Sequence, residues 1–95
     1  MLSIVVNPEG DVLHIHGDAA GLLQLEREVR RLRELAERDE CEDGHLFSSA
    51  WGGGDLTETM LENERAGGWH QVHHLKLFGW SAEWSERHGL SSAAP

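Results

Sequence analysis

Residues 69–80, WHQVHHLKLFGW, are the longest run of strand composition in the chain. Glycines lie directly before this run, at positions 67–68, and near its end, at position 79. A strand alternates its side chains between two faces, and neither face of this run is plainly polar. We therefore expect a sheet with a helix on one face and with water or another molecule on the other. The two predicted faces are Gln71, His73, Leu75 and Leu77, against Val72, His74, Lys76, Phe78 and Trp80.

Two β-rich segments, residues 2–6 and 11–16, come first in the chain, and the turn sequence NPEG separates them. Proline presets φ and glycine accepts a positive φ, so this pattern predicts a β-hairpin. Alternation in the second strand separates two aliphatic residues from two histidines, Leu13 and Ile15 against His14 and His16.

A long amphipathic helix is predicted over residues 19–38, with Asp18 as its N-cap. Apolar residues recur there in steps of three and four, which places them in one stripe along the helix. The stripe consists of Leu22, Leu25, Val29, Leu32 and Ala36.

Residues 39–44 form an acidic turn, and residues 45–51, HLFSSAW, again have strand composition before three glycines. Residues 55–68 are ambiguous, since they suit an edge strand through Leu56, a short helix begun at Asp55 or Thr57, or a loop. We predict a loop with at most one turn of helix.

These elements predict one α+β domain over residues 1–89, in the order β-β-α-β-β, and a disordered tail over residues 90–95. A small antiparallel or mixed β-sheet would carry the long helix packed on one face. We expect the helix to cover Leu13, Ile15, Leu46, Leu75 and Leu77. The reverse face would then gather His14, His16, His45, Phe47, His74, Lys76, Phe78 and Trp80.

The charge balance limits the partners, because 17 acidic residues against 8 basic ones give a formal net charge of −9. Phosphates of nucleic acids and anionic membranes would repel such a chain, whereas a basic protein would attract it. Cys41 is the only cysteine, and the first residues lack the basic region of a signal peptide. We expect a cytoplasmic protein that binds neither nucleic acid nor membrane.

Metal binding and hydrolysis are two alternatives to a protein-binding role. His14, His16, His45 and His74 are candidate ligands for a metal, although no recognised ligand spacing is present. Serines, Asp55 and histidines could supply a hydrolytic triad, but residue types alone do not provide its geometry. We therefore predict no catalytic residues and no cofactor, and a small domain with few core residues favours a binding module over an enzyme.

All six Trp and Phe residues lie at position 47 or later in the chain, and Trp is the residue most enriched at interface hot spots. The segments HLFSSAWGGGDL and VHHLKLFGW, residues 45–56 and 72–80, resemble the immunity protein 32 family of bacterial polymorphic toxin systems. The residues that carry this resemblance are His45, Leu46, Trp51, Gly52, Gly53, Leu56, His73, His74, Lys76 and Trp80.

This resemblance implies a non-enzymatic immunity protein that binds and neutralises a cognate toxin. The acidic charge would suit a basic toxin, such as a nuclease. The predicted partner-binding residues are His14, His16, His45, Phe47, Trp51, His74, Lys76, Phe78 and Trp80. A metal- or small-ligand-binding domain built on the histidines is the alternative, and the same sheet face could also join two copies in a homodimer.

Overall fold

The computed structural model describes residues 1–91. Its main elements follow the predicted order β-β-α-β-β, and this α+β organisation is confirmed. Short helices and one extra short strand are added in the second half. In chain order the elements are β1 (Leu2–Val6), β2 (Leu13–Gly17), α1 (Ala19–Glu37), β3 (Glu42–Phe47), a 3₁₀ turn (Ser49–Trp51), α2 (Glu62–Ala66), β4 (His70–Gln71), β5 (His74–Gly79) and α3 (Ala82–Arg87).

The strands form two sheets. Three strands pair in the order β2-β1-β4, and β3 pairs with β5 in a second sheet of two strands. The described chain forms two compact units, the first made of residues 1–25 and 45–75 and the second of residues 26–44 and 76–91. That residues 1–89 form one domain stays a prediction.

In the first unit, β1 is the central strand and is buried on both faces. Its register with β2 is antiparallel and places Val5 opposite His14 and Ile4 opposite Ile15. The core on the Ile4 side consists of Leu2, Ile4, Leu46 and Leu56, with Leu25, Val72 and Leu75 packed against them. Burying both faces of this strand removes the side chains of Leu2, Ile4 and Val5 from water, which stabilises the unit.

The predicted core positions on β2 are wrong. Ile15 lies on the same face as the buried Ile4, but β2 is at the edge of its sheet. The side chains of Leu13 and Ile15 are therefore 50% and 45% exposed. The opposite face of β2, which carries the histidines, is the one that contacts α2.

The run of residues 69–80 is not one continuous strand. The backbone N–H of Val72 donates to Ile4, whereas the carbonyl of His73 accepts from Ser48. The chain thus leaves β1 and joins β3 at residues 72–73. This break changes the alternation, so that Val72 and Leu75, predicted on opposite faces, both pack on the core.

The structure shifts the predicted third strand and resolves the ambiguous segment. β3 begins earlier, inside the predicted acidic turn, and ends at Phe47. Residues 55–68 contain one isolated bridge, between Leu56 and Ser48, and the single short helix α2. A loop with at most one turn of helix was therefore close to what is found.

In the second unit, the later part of α1 contacts β5, where the backbone of Leu32 lies close to Gly79. Ser81 caps α3, since its hydroxyl accepts from the backbone N–H of Trp84 at 3.1 Å. Of the predicted tail, residues 92–95 lie outside the described part of the chain. None of the helices within residues 1–91 combines the length and apolar character that a membrane span requires.

Candidate functional site

Two histidines of β2 share one carboxylate of α2. His14 and His16 are two residues apart on a strand, so both project from the same face. His14 Nδ1 lies 2.8 Å and His16 Nε2 lies 2.7 Å from the same atom, Glu64 Oε2. The other carboxylate oxygen accepts from the backbone N–H of Leu61 at 3.1 Å, which fixes the carboxylate at the start of α2.

Glu64 is buried, with 3% of its side chain exposed. The hydrogen bond from His16 lowers its pKa most, burial opposes this, and the bonds from His14 and the Leu61 backbone lower it further, to about 2. The carboxylate is therefore ionised, and both imidazoles donate a proton to it. The ring of His14 also stacks on Trp69, with centroids 4.1 Å apart.

The other predicted histidines form a separate pair. His45 Nδ1 and His74 Nε2 are 2.8 Å apart, and the ring of Phe47 stacks on His74 with a centroid distance of 4.3 Å. Within residues 1–91, the one group of three or more His, Cys, Asp or Glu side chains close enough to hold a metal ion is His14, His16 and Glu64. The structure thus divides the four histidines that were candidate metal ligands into two pairs.

A buried polar contact lies beside the exposed ring of Trp51. Ser48 is fully buried, and its hydroxyl is hydrogen-bonded to His73 Nδ1 at 2.8 Å. The ring of His73 stacks almost parallel to Trp51 at 5.5 Å. Gly52 follows with a φ of +90°, a value that glycine accepts without strain. Trp51 ends up 60% exposed, whereas Ser48 has no exposed surface.

The remaining predicted residues lie in the second unit. Lys76 contacts Asp43 at 3.6 Å and lies over the ring of Phe78, 4.8 Å from its centroid. Phe78, Trp80, Trp84 and His88 form a continuous stack of rings. Beside the stack is a groove of about 360 Å³, lined by Val29, Leu32, Arg33, Ala36, Leu77, Phe78, Gly79 and Trp80.

Several carboxylates of the acidic segment 55–64 are used inside the protein. Asp55 accepts from the backbone N–H of Phe47 and from Gln24, and Glu58 accepts from Ser49 and from the backbone N–H of Ala50. Glu64 binds the two histidines. These three side chains hold the segment in place. Sequence reasoning missed Glu64 and Trp69, because nothing local in ENERA or GGWH indicates a contact with a distant strand.

Comparisons with known proteins identify no relative. No family model matches the chain, and neither the curated proteins nor the solved structures contain a significant match.

Proposed function

We propose that this chain is a non-enzymatic immunity protein that binds and neutralises a cognate bacterial toxin. The observation that carries the proposal is the exposure of large aromatic side chains, 60% for Trp51 and 51% for Phe78. Leaving such side chains in water forgoes the stability that burial would bring. Aromatic residues of this kind are the usual anchors of protein interfaces.

The support beneath Trp51 favours a binding role. Binding costs less when a side chain is already fixed in the orientation it needs. The ring of His73 and the buried hydroxyl of Ser48 restrict Trp51 before any partner arrives. The exposed ring is therefore ready to enter a pocket on another protein.

The second unit offers an independent apolar surface. Its groove is lined mainly by carbon atoms of α1 and β5, and Phe78 forms part of its rim. A partner could insert one apolar side chain there, beside Arg33, whose guanidinium donates to Glu37 at 2.6 Å. The residues proposed for partner binding thus include anchors on each of the two units.

The charge of the protein favours a basic toxin. The formal net charge is −9, and exposed carboxylates remain on the surface, among them Glu62 with 92% of its side chain exposed. These groups would speed association with a cationic partner such as a nuclease. The acidic segment contributes less to the attraction of a basic partner than its sequence implies, because Asp55, Glu58 and Glu64 already have partners inside the protein.

Co-expression with the toxin encoded by the adjacent gene tests the proposal. We expect the intact chain to restore growth and to co-purify with the toxin. Trp51→Ala should weaken binding by at least about tenfold, the effect of removing an interface anchor. Leu13→Ala is the matched control, because Leu13 is also an exposed apolar residue but lies outside the proposed surface. A toxin that is neither bound nor silenced would contradict the proposal.

A further inference from the structure

We propose that His14, His16 and Glu64 form a binding site for a divalent transition-metal ion, and that zinc is the ion this donor set suits best. Two imidazole nitrogens and one carboxylate oxygen are common zinc ligands. The three ligand atoms lie within 4.8 Å of one another. The proposal differs from the alternative that the sequence left open, a metal site of four histidines, and it does not depend on toxin binding.

The geometry is close to that of a three-ligand site. Zinc binds nitrogen and carboxylate oxygen at about 2.0 to 2.2 Å, which separates neighbouring ligands of a tetrahedron by about 3.3 to 3.5 Å. The present nitrogen-to-oxygen distances are 2.8 and 2.7 Å. An ion that takes the place of the two N–H protons, which move through solvent to the other ring nitrogens, would need these distances to open by roughly half an ångström. The two imidazole nitrogens, which lie within 4.8 Å of each other, would also have to come to about the same spacing of 3.3 to 3.5 Å.

The two imidazoles can move to widen these distances, whereas the carboxylate of Glu64 cannot. The side chains of His14 and His16 are 45% and 34% exposed, so their rings can turn toward an ion. Glu64 is buried and held by the Leu61 backbone, so the carboxylate stays in place. Stacking on Trp69 limits the tilt of the His14 ring.

The site also has an approach from solvent. The imidazole edges reach the surface, and a cavity of about 170 Å³ lies beside His16, lined by Met1, Ser3, His16, Thr59, Met60 and Leu61. A water molecule or a small anion can supply the fourth ligand from this side. Three protein ligands with one open position are typical of zinc sites that exchange their fourth ligand.

Titration calorimetry of the full chain with Zn²⁺ tests the assignment. We expect one ion per chain with a Kd below about 10 µM. His16→Gln and Glu64→Gln should each weaken binding by at least about tenfold, since each removes one ligand. Circular dichroism and a thermal melt establish that each variant is folded. Should Glu64→Gln fail to fold, His14→Gln replaces it, because that side chain is half exposed.

The second histidine pair is the matched control. A His45→Gln, His74→Gln double variant should bind Zn²⁺ with unchanged affinity, because neither residue belongs to the proposed site. In nitrogen-resolved NMR spectra of the imidazoles, the ion should shift Nδ1 of His14 and Nε2 of His16. A wild-type Kd above about 10 µM would overturn the proposal. Loss of binding in the control, or equal binding by wild type and His16→Gln, would also overturn it.

Discussion

Replacing Ser48 with alanine tests the hydrogen bond between Ser48 and His73, the residue on which the ring of Trp51 stacks. The serine hydroxyl is fully buried and bonded to His73 Nδ1 at 2.8 Å. Removing it loses one hydrogen bond, worth about 0.5 to 1.5 kcal/mol net, and leaves a partly buried imidazole nitrogen without that partner. The backbone bond from Ser48 to the carbonyl of His73 remains. We therefore expect the free energy of unfolding to fall by about 1 to 2 kcal/mol.

Urea unfolding, followed by tryptophan fluorescence and by circular dichroism, measures this change. In a thermal melt of a chain of this size, each kcal/mol lost from the free energy of unfolding should lower Tm by about 4 to 8 °C. Ser49→Ala is the matched control. Its hydroxyl also makes a hydrogen bond, to Glu58, but at an exposed position where water can replace it. That variant should stay within about 0.5 kcal/mol of the wild type.

A double-mutant cycle isolates the contact itself. Ser48→Ala combined with His73→Phe should show a coupling of about 1 kcal/mol, because either change alone breaks the same bond. The stability effects of the two changes would simply add if the bond were absent. Additive effects, or a Ser48→Ala variant as stable as the Ser49→Ala control, would refute the reasoning.

Three further predictions concern stability. Because the pKa of Glu64 is lowered, its ionised carboxylate stabilises the folded state fully above pH about 4.5, and this stabilisation is lost as the pH falls toward 2. The free energy of unfolding of Glu64→Gln should therefore depend less steeply on pH in acid. Ile4→Ala should cost about 2 to 5 kcal/mol in urea unfolding, but Leu13→Ala less than about 1, and equal costs would contradict the assigned burial. Gly53→Ala should lower Tm, since its added carbon would lie 2.5 Å from Cβ of Phe47; an unchanged Tm would contradict this close approach.

Local signals in the sequence predicted the helix and the hairpin well. The apolar stripe of the helix and the cap at Asp18 depend on neighbouring residues only, and the carboxylate of Asp18 does accept from the backbone N–H of Gly21. Not all of the stripe is buried, however, since Leu32 is 5% exposed but Leu22 and Val29 are 49% and 48% exposed. The turn NPEG likewise joins β1 to β2 as its composition indicates.

The break in the run of residues 69–80 could not be predicted in this way. Alternation assumes one continuous strand, yet Val72 bonds to β1 and His73 bonds to Ser48 beside β3. The choice between these two partners is made by distant parts of the chain. Composition shows strand preference but not the point at which a strand changes its neighbour.

Only part of the candidate site could be predicted from the sequence, again because local patterns do not show contacts between distant residues. His14 and His16 stand out because alternation puts them on one face of a strand. Glu64 is one of several acidic residues in a segment without a clear period. Its burial depends on contacts with His14 and His16, which lie 50 and 48 positions earlier in the sequence. Only the three-dimensional structure distinguishes it from its exposed neighbour Glu62.

The position of β2 has a practical consequence for work with concentrated protein. Within residues 1–91 it pairs with β1 alone and presents exposed Leu13 and Ile15 at a sheet edge. An open edge with aliphatic side chains is a common starting point for aggregation, and natural proteins often protect such edges with lysine. Ile15→Lys should therefore improve colloidal solubility while leaving the hydrophobic core intact.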